Sequence, residues 1–500
     1  MTVEWALGGP DILLKLDRSA GPMKIQIQDQ LRAAIREKRV GAGERLPSTR
    51  RLAELLEVSR GTVVDVYEQL VAEGYVESGV GSGTRVAAMP TGSPSAPPSS
   101  VAAASVSSLK PEGVDFEYGI PDLGSVPLTD WSWALSESTR TLPTADLGDE
   151  EPAGSRHLRD VVTAYHRRVR SGCAVAEDAV IVSGFRQGLG FVLATLDQCG
   201  IEQIALEDPG PRKHDAIARR AGLDAVPVPV DDYGLNVDRL RETGARAVLL
   251  TPAHQCPTGV VLSPSRRRDL VAWADEVDGV ILEDDYDAEF RYDRQPVGSL
   301  QGLDPTRVIA LGSVSKTLAP AIKLGWVLAP ARFVAGIVEE KSLRSRGAPG
   351  LDQEALALLM KTGRFDRHLR RVREVYRARR DVLAAEVEQS FGPDRLQGLS
   401  AGCHVLLRLP DGISERAVEA TAATMGVRVN GLSHYRFVAP GREVGFESRP
   451  PALVLGFGNI SETQIRKGIR KLAEAVRQQT ESQIGHPPVR STTSNSSSAE

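Results

Sequence analysis

The segment RVIALGSVSKTLAPAIKLGW sets a primary amine, Lys316, directly after an apolar run that reads as a strand, with the small hydroxyls of Ser313 and Ser315 beside it. Thirty-two residues earlier, VILEDDYDAEFRY carries Asp284 at the end of a second such run and Tyr286 just beyond it. Upstream again, AVIVSGFRQGLGFVL reads as a strand, a glycine turn and a helix start, whose leading backbone N–H groups can bind an anion. A lysine that can form a Schiff base, a carboxylate that can keep a ring nitrogen protonated, a phenol that can donate to a ring oxygen and a cradle for phosphate are what pyridoxal 5′-phosphate (PLP) asks of a protein. Singly, each motif has an ordinary reading: a surface lysine, a solvated or cation-binding acidic loop, a common glycine turn. Their order, and their places at strand ends where the loops of an open α/β sheet converge, give them weight together.

Those positions need a scaffold. The apolar runs AVIVSG, ARAVLLTP, GVILEDDY, RVIALGS and LGWVLAP alternate with helical stretches, which predicts a largely parallel, helix-covered sheet across 113–480. Ahead of it, 12–88 has a different pattern. Ile25, Ile27, Leu31, Ala34 and Ile35 recur at helical spacing until Gly41 and Gly43. Ser48 can cap a short second helix carrying Leu52, Leu55 and Leu56, and Ser59 can cap a third with Val63, Val66, Tyr67 and Leu70 on one face. Tyr75 to Ser78 and Thr84 to Ala87 read as strands of a hairpin across GVGSG, a wing behind a helix-turn-helix. Charge vanishes and small residues and proline take over within 89–112, which predicts a flexible linker, and 481–500 has almost nothing to bury, which predicts a disordered tail.

Five hundred residues exceed one ordinary hydrophobic core, so two or more domains are expected. The net charge of −4 excludes a strongly basic nucleic-acid coat but not a small DNA-reading module. Residues 12–88 hold twelve Lys/Arg against ten Asp/Glu, so only the clustering of Arg45, Arg50, Arg51 and Arg60 favours DNA over a solvated arginine face. Cys173, Cys199, Cys256 and Cys403 form no CxxC pair, which argues against a zinc site or a disulfide framework and fits a reducing cytoplasm. No apolar run approaches the roughly 20 residues that span a bilayer, and the N-terminus lacks an export pattern.

A recognition helix needs short polar side chains and an arginine at its start, which Ser59, Arg60 and Thr62 supply, while Arg50, Arg51 and the wing backbone around Gly81 and Thr84 would meet phosphates. The run GERLPSTRRLAELLEVSRGTVVDVYEQLVAEGYVESGVGSGTRVA resembles the GntR-type winged helix-turn-helix, and the resemblance places Arg50, Ser59, Arg60, Thr62 and Gly81 at DNA contacts. SGFRQGL, TPAHQCPTG, EDDYD and SVSKTLAPAIKLGW, in that order, resemble the fold-type I aminotransferases. With the winged helix in front, the whole chain resembles the MocR subfamily of GntR regulators. That likeness implies an α/β, fold-type I aminotransferase-like domain behind a winged domain. It makes Lys316 the Schiff-base lysine, Asp284 the partner of the pyridine nitrogen and Tyr286 the donor to the ring oxygen. It assigns the phosphate to Gly184, Phe185 and Arg186 by backbone, with Ser313, Ser315 and Lys323. It further implies a homodimer, with each site completed near the interface.

Several positions depart from the pattern. Lys323 stands where arginine is usual, and an ammonium cannot make the guanidinium's bidentate phosphate contact. Cys256 precedes Pro257 where aminotransferases have asparagine; His254 and Gln255 either contact the ring or pack. Pro211 replaces a tyrosine, with Lys213 as the basic residue two places on. Val454 falls about where an arginine grips the substrate carboxylate, a role open to Arg449 or Arg436. Turnover needs that grip to align the reacting bond, whereas a sensor needs only a difference in binding between two states. The expectation is therefore a PLP-dependent regulator of a promoter with at most a partial transamination, its effector being an amino compound that displaces Lys316 or, as the altered clamp suggests, PLP itself. A working aminotransferase with a fused DNA-binding domain and a cofactor-free dimerisation domain are the alternatives.

Overall fold

Two serines decide where the short helices of the N-terminal unit begin. The computed structural model describes residues 2–3, 14–19, 21–79, 83–88, 113–148, 151–211, 213–287, 289–292, 297–345, 347–398, 401–437 and 450–484, and divides into the units Met1–Ser108 and Leu109–Glu500. The first unit runs β1 (Thr2–Val3), β2 (Leu14–Lys15), α1 (Met23–Arg36), α2 (Thr49–Leu56), α3 (Arg60–Ala72), β3 (Val76–Gly79) and β4 (Gly83–Val86). Ser48 Oγ accepts from the Arg51 amide at 3.2 Å and Ser59 Oγ from the Thr62 amide at 3.0 Å, capping α2 and α3 as their sequences predict. Ile27, Leu31, Ala34 and Ile35 of α1 meet Leu52 and Leu56 of α2 and Val63, Val66, Tyr67 and Leu70 of α3 in one core. Ile25 is a correction: it is 51% exposed, because two residues of helix turn it about 200° away from Ile27. β3 and β4 pair antiparallel from Val76↔Val86 to Gly79↔Gly83, within a residue of the predicted wing; Gly81 lies outside the described residues.

The second unit is built on one eight-stranded sheet. In chain order come β5 (Val114–Asp115), α4 (Leu128–Thr141), α5 (Arg156–Arg170), β6 (Ala179–Val182), α6 (Phe185–Gln198), β7 (Gln203–Asp208), α7 (Lys213–Arg220), β8 (Asp224–Asp231), β9 (Gly234–Leu235), α8 (Val237–Thr243), β10 (Ala247–Leu250), α9 (Pro264–Glu276), β11 (Val280–Asp285), β12 (Val308–Ser313) and β13 (Gly325–Leu328). The sheet order is β6-β13-β12-β11-β10-β7-β8-β9; β12, β11, β10, β7 and β8 are parallel neighbours, and β13 runs antiparallel between β12 and β6. Strand alternation gives each face its own core: Leu206, Leu249, Leu282 and Leu311 point to one side, Ala205, Val248, Ile281 and Val308 to the other.

After α10 (Ala331–Arg344), α11 (Gly350–Lys361) and the long α12 (Arg364–Phe391), the chain forms a smaller lobe. It contains β14 (Leu396–Gln397), β15 (His404–Arg408), α13 (Glu415–Thr424), β16 (Val427–Arg428), β17 (Asn430–Gly431), β18 (Ala452–Gly456) and α14 (Glu462–Ile484), with an antiparallel sheet in the order β14-β15-β18-β17. α14 continues to Ile484, so the helix claims the first residues of the segment expected as a tail; 485–500 and the linker 89–112 lie outside the described residues. Among the described residues no helix is long and apolar enough to cross a membrane.

Candidate functional site

The C-terminal ends of β10, β11 and β12 bring the chemistry together. Asp284, the penultimate residue of β11, is 8% exposed, and among the described residues none donates a hydrogen bond to its carboxylate. Burial pushes its pKa well above the carboxylate range, reinforced by Asp285 and Asp287 and opposed by Lys316. A buried carboxylate without a donor suits a ligand that brings one, such as a protonated ring nitrogen. Tyr286 donates its hydroxyl to the His254 carbonyl at 2.9 Å and sits edge-on to Tyr118, with ring centroids 6.2 Å apart. Lys316, in the turn after β12, gives its ammonium to the Gly119 carbonyl and holds Nζ 5.9 Å from the centre of the Tyr118 ring.

The anion cradle is made at the start of α6. Gly184 caps that helix at φ 105°, a conformation that favours glycine, and the backbone of β13 passes so close that a Cβ on Gly325 would lie 2.9 Å from the Gly184 Cα. Ser313 Oγ and Ser315 Oγ are 2.9 Å apart, and the Ser315 amide donates to Ser313 Oγ at 3.1 Å. Phe185 is half-buried; Arg186 and Lys323 are exposed, with Lys323 at φ 55°. Arg186 is near enough to His214 to add to the effect of burial, which lowers that imidazole's pKa to about 4. The groups expected to take a phosphate and those expected to take a ring thus fall at the same edge of one sheet, a donor set that fits PLP.

The TPAHQCPTG loop is spent differently from its two residues' shared expectation. Gln255 donates to the Pro209 and Cys256 carbonyls at 2.9 and 2.7 Å and accepts from the Thr258 amide and hydroxyl at 3.0 and 2.6 Å, so both ends of its amide hold the loop. This is the packing role. His254 is 2% exposed; its Nδ1 lies 2.9 Å from Asp287 Oδ2, its ring is 4.6 Å from that of His404, and its Nε2 has no hydrogen-bond partner among the described residues. His254, Asp287 and His404 form a buried group of possible metal ligands that no spacing rule in the sequence announces, because β15 supplies His404 from 117 residues beyond Asp287. Here the His254–Asp287 contact acts as a hydrogen bond that orients the loop carrying Tyr286's acceptor.

Tyr118, Gly119, Asp287 and His404 stand beside these groups without having been singled out in the sequence; only a fold that brings the 113–120 segment and β15 to the ends of β10, β11 and β12 reveals them. Val454 is buried in an apolar group with Leu406, Leu432 and Ala452, against Tyr118 and Tyr435. Val454 therefore brings no guanidinium to that wall. Arg436, which follows Tyr435, is half-buried, and Arg449 lies outside the described residues.

In the first unit Arg45, Arg50, Arg51, Ser59 and Arg60 are exposed and Thr62 and Thr84 half-buried. Arg50 and Arg51 stand 3.4 and 3.8 Å from Glu54, loose surface pairs that a phosphate can replace. Ser59 Oγ also contacts Thr62 Oγ1 at 2.8 Å, so the cap and the polar start of α3 are one arrangement. The Thr84 carbonyl is taken by the Leu46 amide at 2.8 Å, pinning the wing to the turn after α1.

Residues 24–86 match the family of bacterial regulatory proteins, gntR family, and residues 150–415 match aminotransferase class I and II. The second unit is similar in fold to an archaeal alanine:glyoxylate aminotransferase, with a TM-score of 0.66, 24% identity and coverage of 74% of this chain and 92% of that one. A winged helix-turn-helix unit joined to an aminotransferase-like unit defines a class of HTH-type transcription regulators. The chain is 32% identical to the HTH-type transcriptional regulator YhdI of Bacillus subtilis over 93% of its length and 98% of that protein's. It is 31% identical to the pyridoxine biosynthesis transcriptional regulator PdxR of Corynebacterium glutamicum (90% and 95%) and 30% identical to the probable rhizopine catabolism regulatory protein MocR of Rhizobium meliloti (93% and 96%). The chain belongs to the MocR-type GntR regulators.

Proposed function

We propose that the second unit holds PLP on Lys316 and uses it to sense rather than to turn over substrate, with PLP itself as the effector that changes promoter binding. Bound PLP supplies an aldehyde that bonds an amine and a ring that draws electrons toward itself. The chain's own groups divide the task of holding it. Asp284 would take the ring nitrogen, Tyr286 would exchange the His254 carbonyl for the ring oxygen, and Ser313, Ser315, Lys323 and the leading amides of α6 at Gly184, Phe185 and Arg186 would take the phosphate. Arg50, Arg51, Ser59, Arg60 and Thr62 bind double-stranded operator DNA, the protein acting as a homodimer in the cytoplasm.

The observation that carries this reading is the apolar wall at Val454 beside a cradle otherwise suited to PLP. A clamp on a carboxylate aligns the bond to be broken, and without it the cofactor is held while an amino acid is poorly oriented. The test titrates PLP into apo-protein while following absorbance in the violet and DNA binding. Wild type should gain the band and change its operator affinity; Lys316→Ala should do neither. Repeated turnover of an amino acid and a keto acid, abolished by Lys316→Ala, would replace this reading by that of an enzyme, and an unchanged DNA affinity on PLP binding would shift the effector to an amino compound.

A further inference from the structure

Lys316 has a partner that its own motif does not contain. We propose that Gly119 and Tyr118 are positioning residues for Lys316, and that this one contact reports the state of the lysine to the segment leading from the DNA-binding unit; the inference rests on the reading of Lys316 as the PLP lysine. The Gly119 carbonyl accepts from Nζ, and the Tyr118 ring face lies under it. Gly119 stands at φ 86°, and a Cβ there would come within 3.0 Å of Nζ, so glycine is needed both for the turn and for the approach.

What makes the contact informative is the body to which Gly119 belongs. Residues 114–117 take their backbone pairing from the smaller lobe, while the Tyr118 ring also meets Tyr286 beyond β11 of the large sheet. β5 pairs with β16; the Phe116 amide donates to the Arg428 carbonyl at 2.9 Å, and the Gly456 amide to the Phe116 carbonyl at 2.9 Å. Arg428 pairs with both Asp115 and Glu117. Tyr118 packs edge-on against His404 of β15, 4.7 Å between centroids, and against Tyr435 at 6.3 Å. Lys316, by contrast, follows β12 of the large sheet. The bond from Nζ to Gly119 therefore ties the sheet to the lobe and to the stretch that begins at residue 113, next to the linker.

Bonding to PLP would weaken that tie by chemistry alone. Were the neutral amine to condense with the aldehyde, a C=N bond would replace the C=O bond and both amine hydrogens would leave with the carbonyl oxygen as water; the nitrogen would then carry at most one proton, which the cofactor's own ring oxygen attracts away from Gly119. The segment is then held at this end by its own ladder and by the packing of the Tyr118 ring.

Hydrogen–deuterium exchange on the full-length protein, with and without PLP, tests this. PLP should speed exchange of amides in 114–122 by about tenfold, the cost of losing one charge-assisted bond. Lys316→Met without PLP should match the loaded wild type there. Gly119→Ala, compared with wild type at PLP concentrations that saturate each by absorbance, should lose most of the PLP-dependent change in DNA affinity, because its apo form is already released. Tyr118→Phe, which keeps the ring face, should behave as wild type, and Tyr118→Leu should resemble Gly119→Ala. Unchanged exchange in 114–122 on PLP binding, or a Gly119→Ala protein with the full DNA response, overturns the proposal while leaving the cofactor reading intact. A wild type that takes up no PLP overturns both.

Discussion

Asp284 shows how much one buried side chain can decide. Its carboxylate is costly to ionise in the empty site, and a cationic ring N–H offsets that cost with a charge-assisted hydrogen bond. Asp284→Asn keeps the shape and removes the charge, so PLP affinity should fall by about 10- to 100-fold in an absorbance titration. Glu207 is the counterpart with no ligand to help it. Burial pushes its pKa up to about 7 against hydrogen bonds from Thr251 and Gln255. Between about 4.5 and 7 the unfolded chain has released this proton while the native state keeps it, so stability falls as pH rises through that window and is level above it. Glu207→Gln should be about as stable as wild type at pH 5 and more stable at pH 8, by about 3 kcal/mol at most, in chemical denaturation curves. Lys316, Asp284 and Tyr286 could be singled out from the sequence because each sits in a local strand-end motif. Gly119, Asp287 and His404 could not, since their roles arise only where pieces of chain far apart in sequence meet, and Gln255 looked equally able to touch a ring until its amide was found closing its own loop.

At the scale of elements, the periodic patterns carried nearly all of the helix-turn-helix and the five quoted strands of the sheet. What they lacked was direction. Nothing in LGWVLAP distinguishes the antiparallel β13 from its parallel neighbours, because every strand there is apolar on both faces. Ile25 failed for the opposite reason: the apolar residue counted, but its angle around α1 did not fit the stripe. The caps separate stability from recognition in a testable way. Among the described residues the Ser48 side chain makes only the cap of α2, so Ser48→Ala should cost about 1 kcal/mol of stability and leave the DNA affinity of folded protein unchanged. Arg60 is exposed at the start of α3, so Arg60→Ala should leave the melting temperature alone and weaken operator binding about tenfold or more, read by fluorescence anisotropy.

For the whole molecule, charge bounds how the DNA unit can work. Twelve basic against ten acidic residues in 12–88 give one winged unit little general attraction for DNA. One unit on one half-site should therefore bind weakly at physiological salt, where loss of counterion release erodes a small number of phosphate contacts. A homodimer changes the arithmetic, because binding one unit raises the effective concentration of the second at a neighbouring half-site. Scrambling one half-site should then reduce affinity by about 100-fold or more, far beyond the factor of two expected for independent units. A dissociation constant that changes only twofold, with sedimentation showing a monomer, would mean that the winged units act singly. If the loss is large and PLP alters it, the effector works by changing whether both units can reach their half-sites at once, and the salt slope should change with it as the number of phosphate contacts changes.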